Sequence, residues 1–456
     1  MFRKYKHIHF IGIGGVGMSG IADVLMTLGY NVSGSDLKQS AVTRKLKRRG
    51  AHIFHGHSPD NVAGADVVVV SSAISDANVE LLEAKRRGIP IVLRAEMLAE
   101  LMRLKYSIVI SGTHGKTTTT SMIATVLFHA GFDPTMVIGG KVNSFRTNAR
   151  LGKGEFIVAE ADESDRSFLK FSPTIAVITN IDPEHMENYR DLAHVKDSYV
   201  NFASKVPFYG CVVCGIDNPN VRDIVPKIER KCITFGIQNP ADYTASDIRQ
   251  VEDRLQFIVN YKGKRLGVIR MNLAGRHNVE NALAAIAVGM ELDIPFNEIS
   301  YALSKFKGVE RRFQILYRRG PIIVNDYSHH PSEIAATIRA AREGWPEKRI
   351  VFIHQPHRYT RLKFLFKEFV DVLSRVDKLV LLKLYPASEK AIAGVGSRQL
   401  YISLRRKHPK LDVTLINDNP SVVRWVRENV DGDDLVIFSG AGDIWQYGKE
   451  TAKMLK

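Results

Sequence analysis

One pattern constrains this chain more than any other, and it occurs twice: a short apolar run, a glycine loop, then apolar residues at helical spacing. In the first copy His7–Ile11 leads into Gly12, Gly14, Gly15 and Gly17, after which Met18, Ile21, Ala22, Leu25 and Leu28 recur on one stripe. In the second, residues 107–110 lead into Gly112-Thr113-His114-Gly115-Lys116-Thr117-Thr118, followed by Met122, Ile123, Val126, Leu127 and Ala130. A buried strand that turns sharply into a helix belongs to parallel α/β architecture. The turn also gathers backbone N–H groups and the positive end of the helix dipole at one spot. Two such turns predict two phosphate-bearing ligands.

In the first loop the opening glycine permits the tight turn, the second lets a diphosphate approach the backbone, and the third lets helix and strand pack closely. Asp36 follows the next expected strand at the distance where a carboxylate meets a ribose hydroxyl. Gly12, Gly14, Gly15, Val16, Gly17 and Asp36 therefore form the expected diphosphate site, with Ser71 and Ser72 placed beside it after the apolar run Val67–Val70. The loop alone does not separate a UDP-sugar from NAD.

The second loop is a shortened P-loop, with two residues between its glycines where the usual motif has four. The physical logic survives the shortening. Backbone N–H groups of Gly112, Thr113, His114, Gly115 and Thr118 cradle phosphate, Lys116 meets the β/γ oxygens, and Thr117 offers a hydroxyl to Mg²⁺. A simple dehydrogenase needs no triphosphate site, and a pure ATPase needs no separate front domain for a second nucleotide. An NAD-dependent oxidoreductase and a non-catalytic ATP-gated binding protein are the rival classes.

A third restart follows residues 318–320, with strands expected at 322–324, 350–353, 379–382 and 435–438 and helices at 332–342 and 361–374 between them. The 456 residues thus divide into three units, read as 1–103, 104–318 and 319–456. The fold class is α/β: a Rossmann-like N-terminal domain, a P-loop-containing central domain and a Rossmann-like C-terminal domain. No apolar run reaches the roughly 20 residues of a membrane span. The first 17 residues lack the apolar stretch and cleavage site of a signal peptide, and three cysteines make no disulfide framework. A cytoplasmic protein is expected. The net charge of +16 suggests anionic partners. The basic patches 45–49 and 405–410 lie in helix-like stretches without interleaved aromatics, so they read as solvated faces and not as a nucleic-acid site.

Further candidates fall at expected strand ends, where open α/β sheets bind ligands. Glu160, Asp162, Glu163 and Asp165 follow residues 156–159, and His185 follows 175–179. The carboxylate oxygens among them suit Mg²⁺. His277, Asn278 and Asn281 open a helix, where asparagine amides read an adenine edge or cap the helix. His329, His330, His357, Arg358 and Arg361 cluster in the third unit, and arginine forks bind carboxylates bidentately. Cys211 and Cys214 read as two faces of one core strand, with Cys232 lacking a partner motif.

With these segments in view the chain resembles the Mur ligase family, the ATP-dependent amide-forming enzymes of bacterial cell-wall precursor synthesis. The matching stretches are GIGGVGMS (12–19), GTHGKTT (112–118), EADESDRSF (160–168), TNIDPEHMENY (179–189), GRHNVENA (275–282), DYSHHPSE (326–333), HQPHRYTR (354–361) and GAGDI (440–444). The HHP and PHRYTR stretches point to the member that joins L-alanine to the carboxylate of UDP-N-acetylmuramate. A relative that returns a recycled tripeptide to the same nucleotide sugar is the alternative. The resemblance implies ATP and two Mg²⁺, with Thr117, Glu160 and His185 as metal ligands. It implies adenine contacts for His277, Asn278 and Asn281, a γ-phosphate contact for Arg312, and a ribose or domain-closing role for Asp326. Lys116, His185, Arg312 and His330 are the expected catalytic residues. His329, His357, Arg358 and Arg361 are expected to take the amino acid. Several members carry a carbamylated lysine near the position of Lys196, which reads here as a surface residue.

Overall fold

The structure is a computed structural model. It describes residues 5–456 other than 72, 143–146, 164–165, 185–187 and 388, with backbone alone at 16, 139–142 and 147–148.

The first sheet holds β1 (His7–Ile11), β2 (Asn31–Asp36), β3 (His52–His55), β4 (Val67–Val70) and β5 (Ile91–Leu93), in the order β3-β2-β1-β4-β5 and parallel throughout. The chain winds outward from β1 to β3 and then crosses back to β4. The crevice beyond the carboxyl ends of β1 and β4 is therefore the topological switch point where such sheets bind ligands. The Gly12 loop and Ser71 flank it because each follows directly on one of those strands.

The second sheet is built from β6 (Tyr106–Ser111), β7 (Thr135–Val142), β8 (Thr147–Arg150), β9 (Phe156–Glu160), β10 (Ile175–Ile178), β11 (Cys211–Gly215) and β12 (Cys232–Gly236). Three more strands, β13 (Tyr243–Val251), β14 (Arg254–Tyr261) and β15 (Lys264–Met271), complete the order β15-β14-β13-β12-β11-β10-β6-β9-β7-β8. The strand that feeds the P-loop, β6, lies between β9 and β10 and pairs in parallel with both. Register alone thus brings three motif segments to one edge. Ile110 pairs with Glu160, and Ser111 pairs with Ile178 just before Thr179 and Asn180.

The third sheet has the order β16-β17-β21-β18-β19-β20: β16 (Gln314–Tyr317), β17 (Ile322–Asp326), β18 (Arg349–His354), β19 (Lys378–Leu382), β20 (Asp412–Ile416) and β21 (Asp434–Ser439). Only β16 runs antiparallel to its neighbour. All six residues of β21 are buried, as expected of a central strand covered on both faces. The chain separates into two compact units, Met1–Ser246 with Ile258–Val268 and Glu280–Phe306, and Asp247–Phe257 with Ile269–Val279 and Lys307–Lys456.

The expected strands are present, most of them one or two residues longer than the apolar run that announced them. Two expectations change. The helix read over 361–374 is two, Tyr359–Phe364 and Phe366–Leu373, broken at Leu365 with φ −109° and ψ 25°. Cys232 is not solitary: its Sγ lies 3.5 Å from that of Cys214, because β11 and β12 are parallel neighbours. Cys211 and Cys214 are buried in β11, and burial pushes the Cys211 thiol up to about 12. Among the described residues no helix is long and apolar enough to cross a membrane.

A buried polar knot fixes the first sheet to its helix Val79–Arg86. Glu80 is fully buried and accepts hydrogen bonds from Ser35 Oγ and Asn61 Nδ2, with His57 Nδ1 at 3.2 Å and His9 Nε2 at 3.7 Å. His9 in turn holds Ser33 Oγ at 2.8 Å through Nδ1. Burial alone would push the Glu80 carboxyl up, but the His9 imidazole, Ser35 and Asn61 outweigh it and hold the pKa at about 2.

Candidate active site

Two of the first loop's glycines are explained by geometry. Gly12 has φ +80°, a conformation that favours glycine. At Gly14 an added Cβ would lie 2.7 Å from Asp36 Oδ2 and 3.1 Å from Thr43 Cγ2. The Gly14 N–H donates to that same Asp36 oxygen at 2.9 Å, while Lys38 N–H donates to Oδ1 at 3.0 Å. Asp36 therefore shapes the loop from behind in addition to standing where a ribose hydroxyl is expected. Gly15 caps the helix Val16–Thr27, and a side chain on Gly17 would press on Arg94. Ser72 lies outside the described residues, as does the side chain of Val16.

The P-loop is tied to the segment after β10. Thr113 N–H donates to Asn180 O at 3.2 Å, His114 N–H to Asn180 Oδ1 at 2.7 Å, and Asp182 N–H to Thr113 Oγ1 at 2.8 Å. Gly112 has φ +141° and Gly115 φ +80°, so both glycines are conformationally required. Gly115 also leaves room for Asn281, whose Oδ1 would be 2.7 Å from a Cβ there and accepts from Thr119 Oγ1 at 3.0 Å. Asn281 thus braces the loop. Asn278 does not cap the helix Arg276–Glu291, since it stands inside the first turn and its amide donates to Ala274 O at 2.7 Å.

The reactive edge of the loop is acidic. Thr117 Oγ1 donates to Glu160 Oε2 at 2.8 Å. Lys116 Nζ donates to both oxygens of Glu163, at 2.9 and 2.8 Å, and to the carbonyls of Gly112 and Thr113. Burial would lower the Lys116 pKa, but Glu163, then Asp162 and Glu160, raise it, so the ammonium stays charged. Burial is also the main influence on Glu163 and pushes its carboxyl up. Asp165 and His185 lie outside the described residues. Beside the loop a cavity of about 270 Å³ opens, lined among others by Asn180, Asp182, Asn218, Phe235 and Glu280.

The second unit carries the arginine and histidine cluster. Arg358 has φ +69° and ψ 135°, strained for a residue with a Cβ, and its N–H donates to Tyr385 O at 2.9 Å. His357 stacks on Tyr385 at 5.6 Å between centroids, and its Nδ1 lies 3.3 Å from Arg361 Nη1. Burial, then the charges of His329, Arg361, Arg358 and Arg311, lowers its pKa to about 3. A neutral imidazole accepting from Arg361 follows. His329 is held by Tyr327 O at 2.9 Å and Glu333 Oε2 at 3.2 Å. Arg312 lies 3.6 Å from Glu333 and 5.0 Å from the Tyr327 ring centroid. His330 caps the helix Pro331–Gly344, accepting from Ser332 N–H at 3.3 Å, a structural duty that sequence reasoning did not give it. Asp326 accepts from Phe313 N–H at 2.7 Å, Ser328 N–H at 2.8 Å and Thr337 Oγ1 at 3.0 Å, and so organises this edge. His277 is half-buried, and its desolvation lowers its pKa. Lys196 pairs with Asp223 at 2.8 Å.

Sequence reasoning missed Arg311 and Tyr327. Arg311 lies over Tyr327 at 4.6 Å and Trp445 at 5.7 Å, and donates weakly to Gly440 O and Gly442 O at 3.4 and 3.3 Å. Tyr327 lies inside the stretch 326–333 and Arg311 stands next to Arg312, but nothing in their spacing marks a cation set over an aromatic ring. Gly442 is needed for close approach, since a Cβ there would lie 2.4 Å from Gln355 Oε1 and 2.7 Å from Tyr385 Cγ.

The comparisons with known proteins give the class: the chain belongs to the Mur ligase family of ATP-dependent amide-forming ligases. Family profiles described as "Mur ligase family, catalytic domain", "Mur ligase middle domain" and "Mur ligase, glutamate ligase domain" match residues 7–106, 110–289 and 311–442. The chain is 52% identical over 457 residues to the UDP-N-acetylmuramate–L-alanine ligase of Geotalea uraniireducens, covering 100% of this chain and 99% of that one. It is 52% identical over 451 residues to the enzyme of the same name from Geobacter sulfurreducens, covering 98% and 97%. The crystal structure of UDP-N-acetylmuramate–alanine ligase from Thermotoga maritima superposes with a TM-score of 0.85 at 30% identity, over 98% of this chain and 99% of that one. A murein peptide ligase from Psychrobacter arcticus shares the fold, with a TM-score of 0.73 at 22% identity, over 99% and 98%.

Proposed function

We propose that this protein is a cytoplasmic enzyme that joins L-alanine to the carboxylate of UDP-N-acetylmuramate at the expense of ATP, in bacterial peptidoglycan precursor synthesis. The observation that carries the reading is the full-length identity of 52% to ligases of that name. The peptide-recycling relatives stand well below that, at 22% identity over 99% of this chain and 30% over 67% of it.

The substrates divide among residues 1–103, 104–318 and 319–456 as UDP-sugar, ATP and amino acid. The loop from Gly12 to Gly17, with Asp36, Ser71 and Ser72, takes the UDP diphosphate. The loop from Gly112 to Thr118 takes the triphosphate, with Lys116 on the transferring phosphoryl group and Arg312 supplying a second cation. His277, Asn278 and Asn281 serve the adenine side, and the cavity bearing Glu280 is of a size for a nucleobase. Thr117 Oγ1 and Glu160 Oε2, 2.8 Å apart, offer the hard-oxygen pair that Mg²⁺ uses while keeping waters and phosphates. His185 is proposed to hold a second Mg²⁺. These ions, when bound, neutralise charge on the phosphates.

The muramyl carboxylate attacks the γ-phosphorus of ATP, the bond to ADP breaks, and an acyl phosphate forms. The amine of L-alanine then adds to that carbonyl and phosphate leaves. Phosphoryl transfer asks for positioning and charge neutralisation more than for covalent help. The neutral His357 accepts from Arg361 and so orients its fork toward a carboxylate, while Arg358 and His329 complete the amino-acid subsite. His330 stands beside it at a helix start, and Asp326 holds the edge together.

Phosphate release with UDP-N-acetylmuramate, ATP and Mg²⁺, screened over the common amino acids, tests the whole reading. Release is expected with L-alanine, and release with a tripeptide alone favours the recycling relative. Arg358→Ala or Arg361→Ala is expected to raise KM for L-alanine at least about tenfold, because a charge losing its partner costs several kcal/mol and about 1.4 kcal/mol is a factor of ten. A shift in KM for ATP instead would move both residues to the phosphate site.

A separate measurement tests the first loop. At 100 times its Kd a ligand stabilises the native state by about 2.7 kcal/mol, or several degrees in the first melting transition. UDP-N-acetylmuramate is expected to give that rise, Gly14→Val to erase it by forcing Asp36 out of place, and NAD to give none. A rise with NAD alone would return the domain to the oxidoreductase class.

A further inference from the structure

Glu163 lies just beyond the end of β9, and its main chain is fixed. Its carbonyl accepts from the Tyr189 hydroxyl at 2.6 Å and from Arg166 N–H at 3.1 Å. Its side chain is 8% exposed and gives both oxygens to Lys116. An ammonium has three hydrogens. Here the carboxylate and the carbonyls of Gly112 and Thr113 take up all of them. A phosphate oxygen that reaches Nζ must replace one of these acceptors. The two carbonyls belong to the loop backbone, whereas the carboxylate hangs on rotatable bonds and carries the like charge.

We propose that Glu163 is a positioning residue that trades places with the nucleotide's phosphates on Lys116. It receives the ammonium as ADP departs and yields it when ATP arrives, so it weakens the binding of both nucleotides and hastens ADP release. This rests on the reading of the loop as the triphosphate site. A carboxylate that merely steadied Lys116 for phosphate would have the opposite effect, since its loss would weaken binding.

Titration calorimetry of ADP with Mg²⁺, paired with stopped-flow displacement, separates the two. Glu163→Gln is expected to lower Kd for ADP at least fivefold, mostly through a slower off-rate, on the order of 1 kcal/mol. Kd for UDP-N-acetylmuramate should stay within twofold. Asp162→Asn removes a nearby charge that no hydrogen bond joins to Lys116 among those described, and should gain less. Glu163→Asp keeps the charge but draws the carboxylate back, and should move in the same direction by a smaller factor; it decides alone if the glutamine variant does not fold. Unchanged or weaker ADP binding in the Glu163 variants, or an equal gain in Asp162→Asn, overturns the proposal. Failure of the parent protein to bind either nucleotide overturns the triphosphate reading first, and this proposal with it.

Discussion

Replacing Lys116 with alanine is expected to lower the turnover of UDP-N-acetylmuramate and L-alanine by roughly 10²–10³-fold, the usual loss when one preorganised donor to a developing charge is removed. The ammonium stands at the start of the helix Lys116–His129, where the loop glycines and Asn180 hold the backbone. No other described cation bonds to Glu163 in this loop. Phosphate release at saturating substrates, with circular dichroism to verify the fold, measures the effect. A folded variant with near-parental turnover would sink the triphosphate assignment.

The largest effect on stability is expected at Glu80, which lies behind the strand that carries Asp36. Glu80→Ala leaves Ser35, Asn61 and the His9 and His57 rings facing a cavity without an acceptor, and breaking a buried charged group from its partners costs about 3–5 kcal/mol. The pH dependence follows from the same contacts. The Glu80 pKa is held at about 2 in the folded protein, below its ordinary value of 4.5. A depressed carboxyl contributes stability that is complete above about pH 4.5 and is lost as pH falls toward 2. The first thermal transition of the parent should therefore decline across that window, and the decline should be shallower in Glu80→Gln. Parallel curves for the two proteins would show that Glu80 titrates as an ordinary surface acid. Only the first transition is informative, because the two compact units need not melt together.

The strands legible in the sequence were those buried on both faces. Val67–Val70 and residues 435–438 are unbroken apolar runs, and such runs announce central parallel strands. Tyr243–Val251 and Lys264–Met271 gave no such signal, because polar and charged residues interrupt them along their length. The site divides in the same way. The loop glycines, Lys116, Thr117 and Glu160 follow from local order, since a strand, a turn and a helix fix where each side chain goes. Asn180 on the P-loop, Glu163 on Lys116 and Tyr327 beneath Arg311 depend on which strands become neighbours. Tertiary pairing decides that, and no periodicity records it. His330 and Asp326 carry a further duty that their residue types did not announce. Their residue types suggested chemistry, while their hydrogen bonds serve a helix start and a turn.

The glycine at 442 is an unobvious point of control beside the proposed amino-acid subsite. Its bare Cα lets Gln355 and Tyr385 close in, and Tyr385 is the plane on which His357 stacks. Even one methyl group at 442 would displace that plane and turn the imidazole that steers Arg361. With the amino acid bound there as proposed, an engineer wishing to broaden the acceptor range has a route that leaves every charged residue unchanged. The room behind a side chain then counts for as much as the side chain itself.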